Sequence, residues 1–220
     1  MIAEYFKSKK IVITAGPTYE KIDPVRFIGN YSTGKMGYAI AEELAKLGSE
    51  VHLVSGPTAL KVQNPSIKLY PVESALQMYD ACVNLFPDCD IAIMSAAVAD
   101  YRPKYYQDVK IKKNEEDLMI HLVKNPDILS ALGHAKKSNQ IVIGFALETH
   151  NELEHAMDKL QRKQADAIVL NSLNDPGAGF KHSTNKISII LKKGTIFEFP
   201  LKEKTEVAID ILNCIAENLA

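Results

Sequence analysis

The side chains best suited to chemistry in this 220-residue chain lie in a few long connections. Ala15 to Gly37 reads AGPTYEKIDPVRFIGNYSTGKMG, and its glycines permit tight turns and close approach of a ligand to the backbone. Ser32-Thr33-Gly34 opens a helical pattern, where free N–H groups and a positive dipole end suit phosphate. A plain capped connection from strand to helix fits the same spacing. Ser95 to Lys113 reads SAAVADYRPKYYQDVKIKK. Asp100 there follows a strand end, where a carboxylate could reach a hydrated Mg2+ on phosphates. Lys110, Lys112 and Lys113 surround Ile111, as either a solvated edge strand or a basic flap that closes over anions; charge runs more often just face water. Asn125-Pro126-Asp127 reads as a helix N-terminus with Asp127 in the first turn. Phe145, in Gly144-Phe145-Ala146 at a strand end, either lines a base pocket or fills the core.

Other chemistries fit less well. Gly29 to Lys35 matches G-x-x-x-x-G-K, but Met36 stands where Ser or Thr must hold Mg2+, and the strand ends too early for such a loop. Tyr106-x-x-x-Lys110 has the spacing of a reductase Tyr/Lys pair, yet it lies in a Pro-containing loop, and a GxGxxG after the first strand is missing. His150 and His155 are not spaced to meet on one helix face, which argues against a metal site. The three cysteines, Cys82, Cys89 and Cys214, are odd in number and form no CxxC, so a disulfide framework is not expected, and Cys82 and Cys214, among apolar helical positions, read as buried structural thiols. A formal net charge of -1 argues against a general nucleic-acid binder. The N-terminus lacks an apolar signal core and no run approaches membrane-spanning length, so a soluble, cytoplasmic protein is expected.

Positioning these loops requires alternating elements. β-branched runs at Ile11–Thr14, Val51–Ser55, Ile67–Val72, Ile91–Ser95, Ile141–Ala146 and Ala167–Asn171 read as buried strands. Between them, Met36, Ile40, Leu44 and Leu47 recur at helical spacing, with Ser32 as cap and Gly48 as stop. Ser74–Phe86 and Pro126–Lys137 are further helices. Thr149 and Glu152 form a capping-box pattern before a fourth, and a last helix runs from about Lys204 to Leu219. Lys186–Lys192 and Thr195–Phe199 read as a C-terminal hairpin, and Leu118–Lys124 as a strand outside the main order. The expected architecture is one α/β domain over residues 1–220, a Rossmann-like three-layer sandwich. Its sheet is mostly parallel, with helices on both faces and a C-terminal β-hairpin extension. The long loops at Ala15–Tyr31 and Ala96–Asp117 follow the carboxyl ends of strands, the edge where such sheets bind ligands. A third long loop runs from Ser172 to Asn185.

The first loop resembles the opening signature of the bacterial phosphopantothenate–cysteine ligase family. SGPTAL from Ser55, SAAVADYRP from Ser95, KIKK from Lys110, VKNPDIL from Val123 and GFALET from Gly144 are similar to later family segments in the same order. The resemblance implies a ligase that uses Mg2+ and a nucleoside triphosphate, CTP by preference. It would join 4′-phosphopantothenate to cysteine through an acyl-cytidylate, releasing pyrophosphate and CMP in coenzyme A synthesis. It implies that Asn30 orients the pantothenate carboxylate and stabilises the acyl intermediate, and that Arg26 and Ala97 sit at the substrate. Gly16, Ser32, Gly34, Asp100, Lys110 and Phe145 would hold the nucleotide with Lys159 or Lys163, and Asp100 would hold the cation. It further implies a homodimer, and a flavin-dependent decarboxylase as fused half or partner. The third loop departs from the commonest family form, though Phe180 and Asn185 fit it. Two other readings are a nicotinamide-dependent reductase and a non-catalytic subunit that keeps the fold.

Overall fold

The computed structural model describes residues 2–113, 117–148, 150–172, 179 and 182–219. A short helix α1 (Ile2–Phe6) precedes β1 (Lys10–Ala15), a small hairpin β2 (Tyr19–Lys21) and β3 (Phe27–Gly29), and helix α2 (Lys35–Lys46). There follow β4 (Glu50–Ser55), β5 (Lys68–Pro71), α3 (Ala75–Leu85) and β6 (Ile91–Met94). A second small hairpin, β7 (Tyr101–Pro103) with β8 (Leu122–Lys124), leads to α4 (Ile128–Ala135), β9 (Ile141–Glu148), α5 (Glu152–Arg162) and β10 (Ala167–Ser172). The chain continues through β11 (Thr184–Leu191), β12 (Ile196–Glu203) and α6 (Lys204–Asn218).

Eight strands form one sheet in the order β12-β11-β10-β9-β6-β1-β4-β5. From β10 to β5 neighbours run parallel; β11 and β12 add antiparallel to the β10 edge, as expected of the hairpin extension. The central strands carry β-branched runs because both their faces are covered. Ile11, Ile13, Val51, Leu53, Ile91 and Ile93 pack towards α1, α2 and α6. Val12, Val54, Ala92, Val142 and Ile168 pack towards α3, α4 and α5. Burying each large aliphatic side chain contributes about 1.5–3 kcal/mol. The three thiols are free and buried, and burial pushes Cys82 up to about 12 and Cys89 and Cys214 up to about 11. Among the described residues no helix is long and apolar enough to cross a membrane.

Several expectations about local structure are corrected. Ser32 does not cap α2. Gly34 does so with φ 80 and no side-chain bond, because it passes so close to Gly16 that a Cβ would lie 3.2 Å from the Gly16 nitrogen. Asp127 is the cap of α4 rather than a first-turn residue, since Pro126 before it stays outside the helix. Of Leu118–Lys124 only Leu122–Lys124 is a strand, paired with Tyr101–Pro103, and Lys110–Lys113 forms no edge strand. His150 and His155 meet edge-on with ring centres 5.1 Å apart, because His150 precedes the helix and folds back on it. Thr149 of the expected capping box and Phe180 of the third loop lie outside the described residues.

Candidate functional site at the carboxyl edge of the sheet

Strand order reverses about β1. The chain passes from β1 to β4 and β5 on one side, then returns to β6, β9 and β10 on the other. The two loops leaving β1 and β6 therefore diverge at a topological switch point, and a crevice opens between them. They are also stitched together. Ala97 N–H donates to the Gly16 carbonyl (2.9 Å), Ala96 N–H to Thr14 Oγ1 (3.1 Å) and Ala99 N–H to Thr18 Oγ1 (3.0 Å). Gly16 has φ 78 and sits against the backbone of Gly56, so it shapes the crevice from behind.

The crevice is a cavity of about 820 Å³. Asn30, Ser32, Gly34, Ala97, Asp100, Phe145, Lys159 and Lys163 all line it, so the structure brings together most of the residues expected from sequence. Ser32 Oγ accepts from the Gly34 N–H at 3.3 Å and shapes the turn into α2. Asn30 Nδ2 donates to the carbonyls of Ala97 (3.0 Å) and Val98 (3.3 Å). Its amide is thus held across the crevice by the opposite loop, and donation to a ligand requires exchange of one of these bonds.

At the α4–α5 end, Asp127 Oδ1 accepts from the Ser130 N–H at 2.8 Å, and Lys163 Nζ bonds Asp127 Oδ2. Burial raises the Asp127 carboxyl, but Lys163 and the Ser130 amide outweigh it and hold the group below its usual range. Lys159 Nζ donates to the Phe145 carbonyl at 2.8 Å, and burial lowers its pKa. Phe145 and the two lysines are therefore one unit: α5 and the C-cap that ends it carry Lys159 and Lys163 back to the α4–β9 side.

Arg26 and Lys110 do not line the cavity. Arg26 grips Asp23 through Nε (3.0 Å) and Nη2, and Nη2 also donates to the Ile111 carbonyl at 3.1 Å. Asp23 is buried and takes the backbone N–H groups of Val25, Arg26 and Ile111 as well. The Arg26 bond, followed by these amides, holds its carboxyl far below the usual range. Gln107 N–H adds a bond to the Ile22 carbonyl at 3.1 Å. The Asp23-Pro24 turn is thus the anchor of the basic segment, with Lys110 exposed on it.

Sequence reasoning missed Lys35, Asn125, Asn171 and Lys204 as cavity residues, and gave Asn185 no role. One signal was available. A lysine at the first position of a helix opposes the helix dipole, so Lys204 needed a reason to be there.

Comparison with known proteins gives the lineage. Residues 6–219 match the DNA/pantothenate metabolism flavoprotein C-terminal domain. A protein named cysteine/cysteine sulfinic acid decarboxylase, from an unknown prokaryotic organism, is 51% identical over 94% of this chain and 58% of its own length. The coenzyme A biosynthesis bifunctional protein CoaBC of Bacillus subtilis (strain 168) is 45% identical over 96% of this chain and 52% of its own. The chain thus spans little more than half the length of these relatives. A crystal structure of the C-terminal domain of CoaBC superposes with a TM-score of 0.83 at 45% identity, covering 98% of this chain and 97% of that one. A Cab2 variant in complex with phosphopantothenate-cysteine shares the fold, with a TM-score of 0.76 at 17% identity over 98% of this chain and 91% of its own. The sequence resemblance is borne out at the level of family: this chain belongs to the DNA/pantothenate metabolism flavoprotein C-terminal domain family, the lineage of the C-terminal domain of CoaBC.

Proposed function

We propose that residues 1–220 act as one phosphopantothenate–cysteine ligase domain in coenzyme A synthesis. The observation that carries the reading is the convergence of Asn30, Ser32, Gly34, Ala97 and Asp100 with Phe145, Lys159 and Lys163 on one cavity at the switch point. Homology to CoaBC supports it. In the first step a carboxylate oxygen of 4′-phosphopantothenate attacks the α-phosphorus of CTP. The bond to the β-phosphate oxygen breaks, and pyrophosphate leaves. In the second, the cysteine amine attacks the acyl carbon, loses a proton and expels CMP.

The residues have distinct duties. Phe145 and Ala97 border the base. Lys159 and Lys163 supply positive charge at the α4–α5 end, and the turn at Gly34 presents the start of α2 to phosphate. Asn30 offers a neutral amide to the carboxylate and the acyl intermediate, as Ala97 and Val98 release it. Asp100 fits a Mg2+ ion: it is a hard-oxygen ligand on the cavity wall, and such ions take one or two carboxylates plus phosphates and water. Bound there with the triphosphate, Mg2+ would offset repulsion between the attacking carboxylate and the phosphates. Lys110, on its Asp23 anchor, serves as the flap cation and reaches the site by movement of that segment. A homodimer and a flavin-dependent decarboxylase, fused or separate, complete the proposal.

The test is pyrophosphate release with Mg2+, 4′-phosphopantothenate and cysteine, comparing CTP with ATP and omitting each substrate in turn. Release that requires phosphopantothenate, with phosphopantothenoylcysteine formed only when cysteine is present, is the expected result. No release from folded protein with either nucleotide would refute it. The 51% identical relative's name favours one rival, decarboxylation of cysteine or cysteine sulfinic acid. Carbon dioxide released from either by this chain would establish that rival.

A further inference from the structure

Four buried side-chain polar atoms have no hydrogen-bond partner among the described residues: Ser95 Oγ, Asn171 Oδ1, and both Nδ2 and Oδ1 of Asn185. All three residues line the same cavity. Leaving such a group unpaired is costly, so a cluster of them on one wall marks a place meant to be filled. Asn185 is the extreme case. It is 1% exposed, stands at the start of β11 and keeps an entire amide unused.

Two cations share this end of the cavity. Lys35 is the first residue of α2, whose opening N–H groups lack intrahelical acceptors and whose cap, Gly34, supplies no side-chain bond. Lys204 is the first residue of α6 and is 8% exposed; its Nζ donates to the carbonyls of Gly179 (2.9 Å) and His182 (2.7 Å). Burial, and then repulsion from Lys35, lower the Lys204 pKa to about 8, against a smaller opposing pull from Glu203. Two like charges, both at the positive end of a helix, stand beside an unused buried amide. Each element is unfavourable alone; an anion would offset the two charges and accept from the Asn185 Nδ2, while the amide oxygens of Asn171 and Asn185, being acceptors, call for a donor instead.

We propose that Lys35, Asn185 and Lys204, with the amides that open α2, form a subsite for a phosphate dianion at the α2–α6 end of the cavity. The subsite deepens the ligase reading and rests on it for the identity of the ligand. Its phosphate comes either from the tail of the nucleoside triphosphate or from the monoester of the acid substrate. Both bring the same chemistry: a compact double negative charge with acceptor oxygens for Lys204, Lys35 and the Asn185 Nδ2. The α4–α5 end, with Lys159 and Lys163, is separate, so a ligand spanning the cavity is held at both ends.

The experiment is calorimetric titration of the wild-type chain, Asn185→Leu and Lys204→Met with inorganic pyrophosphate, CTP, CMP, 4′-phosphopantothenate and pantothenate. Circular dichroism and urea melts check folding. Asn185→Leu replaces an unpaired amide with a similar-sized hydrocarbon, so ligand-free stability should hold or rise. Both variants should weaken one phosphorylated ligand by roughly ten- to a hundredfold and spare its counterpart without that phosphate. Loss confined to CTP, with CMP spared, assigns the triphosphate tail. Loss confined to phosphopantothenate, with pantothenate spared, assigns the monoester. Unchanged affinity for both phosphorylated ligands in folded variants would overturn the subsite, as would equal loss for every ligand. Wild-type protein that binds pyrophosphate through Asn185 and Lys204 yet ligates nothing would refute the ligase reading and keep the subsite.

Discussion

Gly37→Ala separates stability from function in a way that follows from one close approach of backbones. Gly37 lies in the first turn of α2 and is buried. A Cβ there would lie 2.6 Å from Ala15 Cβ, 2.9 Å from Ser95 Oγ and 3.0 Å from the Thr14 carbonyl oxygen. Ordinary carbon contact is ~3.5–4.0 Å, so the start of α2 must retreat by about 1 Å from the ends of β1 and β6. Overpacking of this kind costs about 1–3 kcal/mol. Alanine returns about 1 kcal/mol through helix propensity. The balance is a net loss of about 1 kcal/mol, a fall in Tm of about 2–4 °C for a domain of this size. The same displacement carries Gly34 and Lys35 off the cavity, and a 1 Å misplacement of a positioning group costs on the order of 100-fold in rate. Thermal melts should therefore show a folded protein, while pyrophosphate release at 25 °C falls by about two orders of magnitude. Turnover near the wild-type value would refute the claim that the entrance of α2 sets the geometry of the site.

Asn30→Ala should leave the fold intact and lower ligation by about 100- to 1000-fold, the cost of one lost donor to a developing oxyanion; near-normal turnover removes Asn30 from the site. Lys110→Ala should slow turnover or let the acyl intermediate leak to hydrolysis, whereas an unchanged rate makes Lys110 a solvated surface cation. Asp23→Asn should raise amide hydrogen exchange at Gln107–Ile111 in the free protein, and equal protection in both proteins would sink the anchor. Because burial and Lys35 depress Lys204 to about 8, its protonation costs stability at neutral pH. As pH rises from about 8 towards the ordinary 10.5, the unfolded chain holds the extra proton and this cost disappears. A phosphate bound there favours the charged amine, so titration near pH 8 in buffers of different ionisation enthalpy should show proton uptake; none would mean that Lys204 does not meet the anion.

The sheet was legible because its signal is local. Ile11–Thr14, Ile91–Ser95 and Ala167–Asn171 are apolar runs bounded by turn residues, and strands covered on both faces leave little else for such runs to do. The β2–β3 hairpin was not, since Tyr19, Glu20 and Lys21 show no apolar alternation and Glu20 is buried only by accepting the Ala75 N–H. Ser32 was a sensible cap by residue type, but the turn is decided by the approach of Gly34 to Gly16, a contact between distant segments. The site divides along the same line. Asp100 lies in the loop after a strand whose end could be read and Phe145 lies within another, whereas Asn30 was singled out by the family signature. Asn185 is an ordinary asparagine until the fold shuts it away from water with its side-chain amide unpaired, which no spacing reveals.

The packing of α6 against α2 has a consequence for synthesis on the ribosome. The glycine turn, Asn30 and Asp100 emerge early, and the strands from β1 to β6 can begin to pair while the rest of the chain is still being made. Lys204 and Asn185 come much later, and on the proposed reading the α2–α6 end gains its full set of donors only when α6 docks. A nascent or prematurely terminated chain would hold one end of its ligand and not the other. Such a product would hold that phosphate weakly, so the last helix to be made is the one that completes the site.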